Sequence, residues 1–333
     1  MLGKQLAWVV AQKNNLSFTQ SRDFVKNFYS GSRAIADQSV KAELDSVSSV
    51  TDMMYQHNVV KTFEQSFASW LTAQSSNFLY GLENFEADIS QGATQGFDSF
   101  YLRHQQKRIA FFQGEYFYHP LTAQYLKIPS VCIHSYKDLL PGDILAVSVP
   151  FCDTGNNIED FESILTHCDQ HNIPVLLDCA YWTISSGLQL NLNHACIDTI
   201  MFSLSKTFPV AHARIGMRYT RPGLQDGQKL HSQINYSNRL SAAIGQQLIS
   251  KFSSDYIVTK YRKQQLKLCS ALGLVPSQSV IFADGTPEWQ EYGRKGLLET
   301  YNYKTDYRLF KNRICLTQLL ENNDLVEQVL ETL

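Results

Sequence analysis

The sequence predicts a three-layer α/β fold, in which a mostly parallel central sheet lies between helices and a smaller α+β domain follows at the C-terminal end. Two observations indicate this class. Between residues 108 and 204, short apolar segments that suit buried strands alternate with amphipathic segments that suit helices. After residue 230 the pattern changes to a long helical stretch and two separate apolar segments, as expected for a second, smaller unit.

The N-terminal part of the chain carries the weakest pattern. Residues 1–60 are polar and predict helices and an arm that belongs to the small domain, with a turn at residues 25–32. The glycine-containing segment 89–96 predicts a loop. In the segment 97–104, the spacing of the aromatic side chains predicts a helix. We expect the large domain to span residues 61–230.

The elements of the large domain follow from alternation. Residues 120–127 predict a helix, and 158–168 predict another because Ile158, Phe161, Ile164, Leu165 and Cys168 fall on one stripe. Residues 214–219 predict a strand that we expect to be antiparallel. Parallel strands are predicted at 108–112, 130–134, 143–149, 173–177 and 197–204.

The smaller domain is expected over residues 231–333. A long helix is predicted at about 234–270, and its charged second half is typical of a solvent-facing surface. Two strands are predicted at 279–284 and 313–318. Residues 323–333 predict a closing amphipathic helix.

Composition excludes several classes of partner. The chain has 333 residues, is 44% hydrophobic and 18% charged, and has a formal net charge of -2. This near-neutral charge, without a basic block, argues against nucleic acid or an anionic membrane as the main partner. No segment approaches the roughly 18–20 apolar residues of a membrane-spanning helix. The seven cysteines lack CxxC spacing, so we expect a reduced, cytoplasmic protein without a signal peptide or a metal site.

Two charged residues stand where apolar strands end. Asp178 ends one predicted strand, and Lys206 closely follows another. Taken alone, an aspartate there more often caps a turn, and a lysine more often lies at the surface. Ligands of parallel α/β sheets bind at the carboxyl ends of the strands, so both groups would face one crevice. Pyridoxal phosphate needs such a pair, an amine for its aldehyde and an acid for its ring nitrogen.

Two motifs make the resemblance specific. The segments "SLSKTFPVAHARIG" (203–216) and "DCAYW" (178–182) resemble the S-x-S-K and D-x-A-Y blocks of the class I and II aminotransferases, which are pyridoxal-phosphate enzymes of fold type I. The resemblance runs from about residue 85 to the C-terminus. It implies that Lys206 forms a Schiff base with the cofactor and later moves the substrate proton. It implies that Asp178 keeps the ring nitrogen protonated and that Tyr181 binds the 3'-oxygen.

The resemblance also implies a phosphate site and a carboxylate site. Tyr116 stands where the family has a ring that stacks on the cofactor, although a core tyrosine explains it equally well. Arg313, in an apolar strand, resembles the arginine that binds the substrate α-carboxylate. Residues matching the family's phosphate-binding positions are Gly92, Ala93, Thr94, Ser203, Ser205 and Arg214.

The sequence departs from the family pattern in three places. Cys152 stands where an asparagine normally supports Tyr181, and a thiol is a poor donor. Either Tyr181 suffices, or Asn156 substitutes, or the alignment is shifted. His212 replaces a usual glycine, and we expect it to lie on a surface loop. The N-terminal region is short, and Tyr55 is the candidate there for a tyrosine donated across a dimer.

The sequence therefore predicts an aminotransferase that moves an amino group between an L-amino acid and a 2-oxo acid, and the resemblance implies that it acts as a homodimer. A decarboxylase or a C–S or β-eliminating lyase of the same fold is the first alternative. A non-catalytic protein that keeps the fold for binding or regulation is the second. The identity of the substrate does not follow from the sequence.

Overall fold

The computed structural model describes residues 2–47, 52–53, 55–73, 76–294 and 312–331. A seven-stranded sheet has the order β2-β9-β8-β6-β5-β3-β4. Its strands are parallel except β9, which runs antiparallel to both neighbours, β2 and β8. The bounds are β2 (Glu86–Gln91), β3 (Arg108–Phe112), β4 (Ser130–Ile133), β5 (Asp143–Ser148), β6 (Val175–Asp178), β8 (Ile197–Ser203) and β9 (Ile215–Thr220). The predicted mostly parallel sheet is confirmed.

Alternating side chains of the sheet face two separate cores. In β5, Leu145 and Val147 belong to one buried cluster, whereas Ile144 and Ala146 belong to another. Successive residues of a strand point to opposite faces, so the strands of a sheet covered on both sides are mostly apolar at consecutive positions. This explains why the central strands are continuous apolar segments, and it confirms the three-layer arrangement.

Helices cover both faces of the sheet. Two of them, Val59–Ala73 and Arg239–Lys251, pack on each other. Within the described residues, the helices of eight or more residues are α1 (Leu2–Lys13), α2 (Phe18–Asn27), α3 (Gln38–Asp45), α4 (Val59–Ala73), α5 (Ala93–Arg103), α6 (Tyr118–Tyr125), α7 (Phe161–His171), α8 (Arg239–Lys251), α9 (Tyr256–Leu272) and α10 (Asn323–Glu331), and shorter helices span Gly227–Gln233 and Thr317–Glu321.

The structure corrects three predicted elements. The loop predicted at 89–96 is wrong, because β2 runs to Gln91 and α5 begins at Ala93. Only Gly92 separates them, and its φ of 72° lies in the left-handed region that glycine adopts freely. Ile158 precedes α7 rather than belonging to it. The long helix predicted at 234–270 is interrupted between Lys251 and Tyr256, where the chain turns from α8 into α9.

A second, smaller sheet carries the C-terminal part. Its order is β10-β11-β12, all antiparallel, with β10 at Val275–Pro276, β11 at Phe282–Gly285 and β12 at Asn312–Cys315. A separate pair, β1 (Phe78–Tyr80) and β7 (Gln189–Asn191), is parallel. The small sheet shares one buried core with the helices α1 and α2, so the N-terminal helices pack on the C-terminal unit. The domain boundaries near residues 60 and 230 stay predictions.

Among the described residues, no helix is long and apolar enough to cross a membrane.

Candidate active site

Asp178 and Lys206 lie at the carboxyl ends of adjacent parallel strands. Asp178 is the last residue of β6, and Lys206 follows β8 by three residues. The pairing of β6 with β8 ends at Asp178 and Met201. Beyond it, Cys179 N donates to Met201 O at 2.8 Å, and the hydroxyls of Thr183 and Thr207 share a hydrogen bond of 2.5 Å. The sheet therefore brings the two groups together, and each influences the pKa of the other.

The carboxyl group of Asp178 is buried. Its Oδ1 accepts a hydrogen bond from Ala180 N at 3.0 Å. Burial, and then the nearby Glu115 carboxylate, raise the pKa of Asp178 from 3.8 to about 7, against the opposing effects of Ala180 N and Lys206. A carboxyl group with this pKa can hold or release a proton near neutral pH.

Glu115 is a buried acid beside Asp178 that sequence reasoning missed. Its carboxylate accepts hydrogen bonds from Ser148 N and Tyr116 N, both at 2.8 Å, and from the Ser148 hydroxyl at 2.5 Å. Arg294 also lies close, paired with Asp153 and donating to the Glu115 carbonyl at 3.0 Å. The only sequence signal was an acid between a glycine and three aromatic residues in "QGEYFYH".

The Lys206 amine points at the N-terminal part of the chain. Its Nζ donates to the Ser32 carbonyl at 2.5 Å and lies 3.3 Å from the Ser32 hydroxyl. Burial lowers the pKa of Lys206, and the nearby Arg313 acts in the same direction, while Cys152, Cys315 and Asp178 oppose it. A lysine with a lowered pKa has a larger fraction of neutral, nucleophilic amine.

Tyr181 lies beside this amine. Its ring centroid is 5.8 Å from Lys206 Nζ and meets the Phe282 ring edge-on at 5.2 Å. Burial raises the pKa of Tyr181, as does Cys152, whereas Arg313 and the nearby Ser32 side chain act in the opposite direction. The phenol therefore stays protonated and can donate a hydrogen bond.

Cys152, which stands where the family has an asparagine, is also buried. Burial raises the pKa of Cys152, so its thiol is neutral. Cys152 N donates to the Ser148 hydroxyl at 2.8 Å. Asn156, the suggested substitute, accepts a hydrogen bond from Gln278 N at 2.7 Å through its side-chain oxygen. The structure thus pairs the Asn156 side chain with Gln278.

The predicted phosphate-binding residues meet where three strands align. Ser90 of β2 pairs with Gly216 of β9, which pairs with Ser203 of β8. The Ser203 hydroxyl donates to the Ser205 hydroxyl at 3.0 Å. Gly216 is needed for this approach, because a Cβ there would lie 2.8 Å from the Gly92 carbonyl carbon.

Arg214 closes this group over the first turn of α5. Its Nη2 donates to Gln91 O and to the Thr94 hydroxyl, each at 3.3 Å. A side chain at position 92 would push the guanidinium aside, and the φ of 72° there favours glycine in any case. Ala93 is the first residue of α5, where no side chain caps the free N–H groups.

Gly92, Thr94, Ser203, Ser205 and Arg214 form a group of hydrogen-bond donors that we call the cradle. Its charge suits an anion. Among the residues that the structure describes, no carboxylate pairs with Arg214, which donates instead to neutral oxygens. A guanidinium group, hydroxyls and the N-terminus of a helix are donors that bind phosphate. The cradle can therefore hold a phosphate group at the edge of the sheet where Asp178 and Lys206 lie.

Tyr116 is partly buried and lies close enough to Asp178 for that charge to contribute to raising its pKa, second to burial. Its ring is nearly parallel to that of Tyr118, with centroids 6.1 Å apart. His212 is exposed, as expected of a surface loop. Tyr55 is 71% exposed and makes its side chain available outside this chain's own core.

Arg313 lies buried in β12, opposite Asp284. Its Nη1 donates to the Cys152 carbonyl, and its guanidinium carbon lies 4.3 Å from the Phe282 ring centroid. Its Nε is buried and has no hydrogen-bond partner among the described residues. A buried donor without a partner is costly, so this arginine is suited to a carboxylate ligand.

The residues present fit pyridoxal phosphate. The cofactor has an aldehyde, a ring nitrogen, a phenolic oxygen and a phosphate. The chain offers, in one region, the Lys206 amine, the buried Asp178 carboxyl, the Tyr181 phenol and the cradle around Arg214. The glycine beside Arg214 in the cradle and the absence of a counterion for Arg214 in the described part of the chain support the fit.

Part of the chain matches the model of a known protein family. Residues 143–279 match the family model described as aminotransferase class I and II. No curated protein sequence matches the chain. A probable N-succinyldiaminopimelate aminotransferase from Thermus thermophilus is similar in structure, with a TM-score of 0.62 and 16% identity over 92% of this chain and 94% of the other.

Two further solved structures show the range of similar proteins. A histidinol-phosphate aminotransferase from Clostridium acetobutylicum has a TM-score of 0.57 and 14% identity over 92% of this chain and 99% of the other. A PLP-bound C-S lyase from Staphylococcus hominis has a TM-score of 0.61 and 12% identity over 91% and 90%. The predicted resemblance is therefore confirmed: the chain has the fold of the class I and II aminotransferases of fold type I, and residues 143–279 carry the sequence pattern of that family.

Proposed function

We propose that this protein is a pyridoxal-phosphate-dependent aminotransferase that moves an amino group between an L-amino acid and a 2-oxo acid. The observation that carries the proposal is the meeting of Asp178 and Lys206 at the ends of adjacent strands, beside an anion cradle without a counterion in the described part of the chain. The family match over residues 143–279 supports it.

Four groups of this chain would hold the cofactor. Bound pyridoxal phosphate supplies an aldehyde for an amine and a ring that withdraws electrons from the bonds of the substrate α-carbon. The Arg214 cradle would bind its phosphate, and the Tyr181 phenol would donate to its ring oxygen. Asp178 would pair with the ring nitrogen, and Lys206 would bond to the aldehyde carbon.

The lowered pKa of Lys206 serves two tasks. Its neutral amine can attack a carbonyl carbon, and the same nitrogen can accept a proton once it is displaced. Burial makes both tasks possible, since it disfavours the ammonium form of Lys206. Asp178 acts at the other end of the site, where a buried carboxylate stabilises a positive charge on a ring nitrogen.

Arg313 would bind the substrate carboxylate. Its buried Nε is without a partner in the described part of the chain, and a guanidinium group binds a carboxylate through two parallel hydrogen bonds. The ring of Phe282 supports one face of the guanidinium. This places the carboxylate site next to Tyr181, which contacts the same Phe282 ring.

A single-turnover experiment tests the function. The purified protein loaded with pyridoxal phosphate is mixed with one amino acid at a time, without an oxo acid. We expect one 2-oxo acid per bound cofactor and then a stop, until a second oxo acid is added. Continued release of carbon dioxide identifies a decarboxylase, and continued release of ammonia with a cleaved side chain identifies a lyase. Bound cofactor without any product from a full amino-acid panel would favour a binding or regulatory protein.

We propose in addition that the active unit is a cytoplasmic homodimer. The exposed aromatic side chains Tyr55 and Tyr236, 71% and 79% accessible in the single chain, support a partner surface. Seven free thiols, six of them buried, support a reducing compartment. Light scattering of the purified protein measures the mass directly, and a monomeric mass in the active preparation would contradict the dimer.

A further inference from the structure

The segment between α2 and α3 crosses the site, and we name residues 29–37 the N-terminal strap. The strap is bound at several points to the C-terminal unit. Cys315 N donates to Tyr29 O at 2.8 Å, and the Thr317 hydroxyl donates to Arg33 O at 3.1 Å. Arg33 forms an ion pair with Glu321. These contacts fix the backbone on both sides of Ser32.

The far end of the strap is anchored as well. Asp37 is buried, accepts from Ser39 N and Val40 N, and pairs with Lys260 at 2.5 Å. The Tyr261 hydroxyl donates to the same carboxylate at 2.7 Å. Ser32 therefore lies on a short segment whose two ends are held, and the position of its hydroxyl is defined by the fold.

Ser32 contacts the amine on which the proposed function depends. Its carbonyl and hydroxyl face Lys206 Nζ at 2.5 and 3.3 Å. The Tyr181 ring lies beside the same amine, with its centroid 5.8 Å from Nζ.

We propose, on the basis of the proposed function, that Ser32 is a positioning residue: its hydroxyl and carbonyl hold the Lys206 amine ready to bind the cofactor. The N-terminal strap therefore completes the cofactor site within one chain. The role of Ser32 is exerted through Lys206.

Removing the hydroxyl should have two effects of different origin. Loss of one hydrogen-bonding group weakens cofactor binding by about 3- to 10-fold. Loss of one acceptor also makes the Lys206 ammonium less stable, so the pH midpoint for cofactor capture falls by about 0.3–0.7. A site that is merely loosened would admit water to Lys206 and move this midpoint upward.

The test compares three variants of the cofactor-free, full-length protein. Ser32→Ala removes the hydroxyl, Ser32→Thr retains it, and Ser30→Ala removes an exposed hydroxyl that donates to Asn27 O. Each protein is titrated with pyridoxal phosphate by visible absorbance, and the rate of capture is measured across pH. We expect weaker binding and a lower midpoint for Ser32→Ala, with Ser32→Thr and Ser30→Ala close to the original protein.

The outcomes separate the two proposals. If the original protein binds the cofactor and Ser32→Ala matches it in affinity and midpoint, the role of Ser32 is wrong while the proposed function stands. A raised pH midpoint of capture for Ser32→Ala also overturns that role. So does a loss of cofactor affinity in Ser32→Thr that is as large as the loss in Ser32→Ala. If the original protein shows no saturable capture, the proposed function fails, and the role of Ser32 fails with it.

Discussion

The guanidinium carbon of Arg313 lies 4.3 Å from the centroid of the Phe282 ring. The edge of the same ring system meets Tyr181, with the ring centroids 5.2 Å apart. Phe282 therefore contacts both the arginine proposed for the substrate and the phenol proposed for the cofactor. A desolvated cation–π contact contributes about 2 kcal/mol or less, enough to favour one direction of the guanidinium.

Replacing this ring should affect substrate binding first. We expect Phe282→Leu to raise the KM for the amino acid about 3- to 10-fold, because a contact worth about 0.5–1.5 kcal/mol is lost. The kcat should change less, since Lys206 and Asp178 are untouched. Steady-state kinetics measure both constants. Phe28→Leu is the control, because Phe28 is buried in the same core. Equal effects of the two variants would remove the positioning role of Phe282.

Arg313 itself should be more sensitive than its supporting ring. We expect Arg313→Lys to raise KM by at least about 10-fold, because an ammonium group cannot make two parallel hydrogen bonds to a carboxylate. The control is Arg221→Lys, which alters another stacked arginine, 4.1 Å from the Phe85 ring centroid and bound to backbone carbonyls. An unchanged KM in Arg313→Lys would show that the carboxylate binds elsewhere.

Lys206 is the residue on which the chemistry depends most. We expect Lys206→Ala to lose the visible absorbance of the lysine-bound cofactor together with all measurable turnover, because no other amine is placed at this strand end in the described part of the chain. Lys251→Ala, which changes an exposed lysine at the end of α8, should leave both unchanged. The absorbance spectrum and the turnover rate are measured on the same sample. Turnover at the original rate in Lys206→Ala would refute the assignment.

The sequence predicted the central strands that are buried on both faces and the edge strand β4, and it missed the other edge strand, β2. The strands β3, β5 and β6 are continuous apolar segments, a pattern that only a sheet covered on both sides requires. The edge strand β2 has the sequence EADISQ, and its buried Asp88 pairs with Arg218 at 2.9 Å, 130 residues further along the chain. This partner is distant in sequence, so local pattern could not predict the strand.

The residues of the site likewise divide into those that the sequence predicts and those that only the fold reveals. Asp178, Lys206 and Arg214 were predictable because their positions follow from strand ends and from two motifs. Ser32 and Glu115 were not, since each acts through a contact that spans a long stretch of sequence, 174 residues from Ser32 to Lys206 and 33 from Glu115 to Ser148. Neither residue type is unusual in its local context, so only the fold reveals its role.

The anchor of the N-terminal strap should matter for stability. Asp37 begins α3 as its N-cap and pairs with Lys260, and its hydrogen bonds lower the pKa of Asp37 against the effect of burial. We expect Asp37→Ala to lower the free energy of unfolding by about 2–4 kcal/mol, since a cap is lost and Lys260 and Tyr261 lose a partner. Urea unfolding measures the change.

The matched control for the strap anchor is Asp45→Ala, which alters the last residue of the same helix, away from the cap. The contribution of Asp37 is present above its ordinary pKa and is lost as the pH falls through its lowered folded-state value. The two variants should therefore differ at pH 7 and converge in strong acid. A loss that is equal in both variants at pH 7 would contradict the anchor.

The contribution of Asp178 to stability should depend on pH in the opposite direction to that of Asp37, because the pKa of Asp178 is raised from 3.8 to about 7. Between these values the folded protein without cofactor binds more protons than the unfolded chain, so this group makes stability fall as pH rises from about 4 to 7. We expect Asp178→Asn to leave stability unchanged at pH 4 and to raise it by about 2–4 kcal/mol at pH 8. The same variant should lose most of its turnover, because a neutral amide cannot keep a ring nitrogen protonated.

A carboxylate with a structural role provides the contrast. Asp226 pairs with the buried Arg218 at 2.6 Å, and hydrogen bonds with Arg218 and Ser99 lower the pKa of Asp226 against burial. Asp226→Asn should therefore destabilise the protein at pH 8, where Asp178→Asn stabilises it. Thermal unfolding of both variants at pH 4 and pH 8 measures the signs. Destabilisation at pH 8 by Asp178→Asn would mean that the fold itself depends on the Asp178 charge, whereas a gain in stability with loss of turnover identifies a charge that the fold tolerates for the sake of the chemistry.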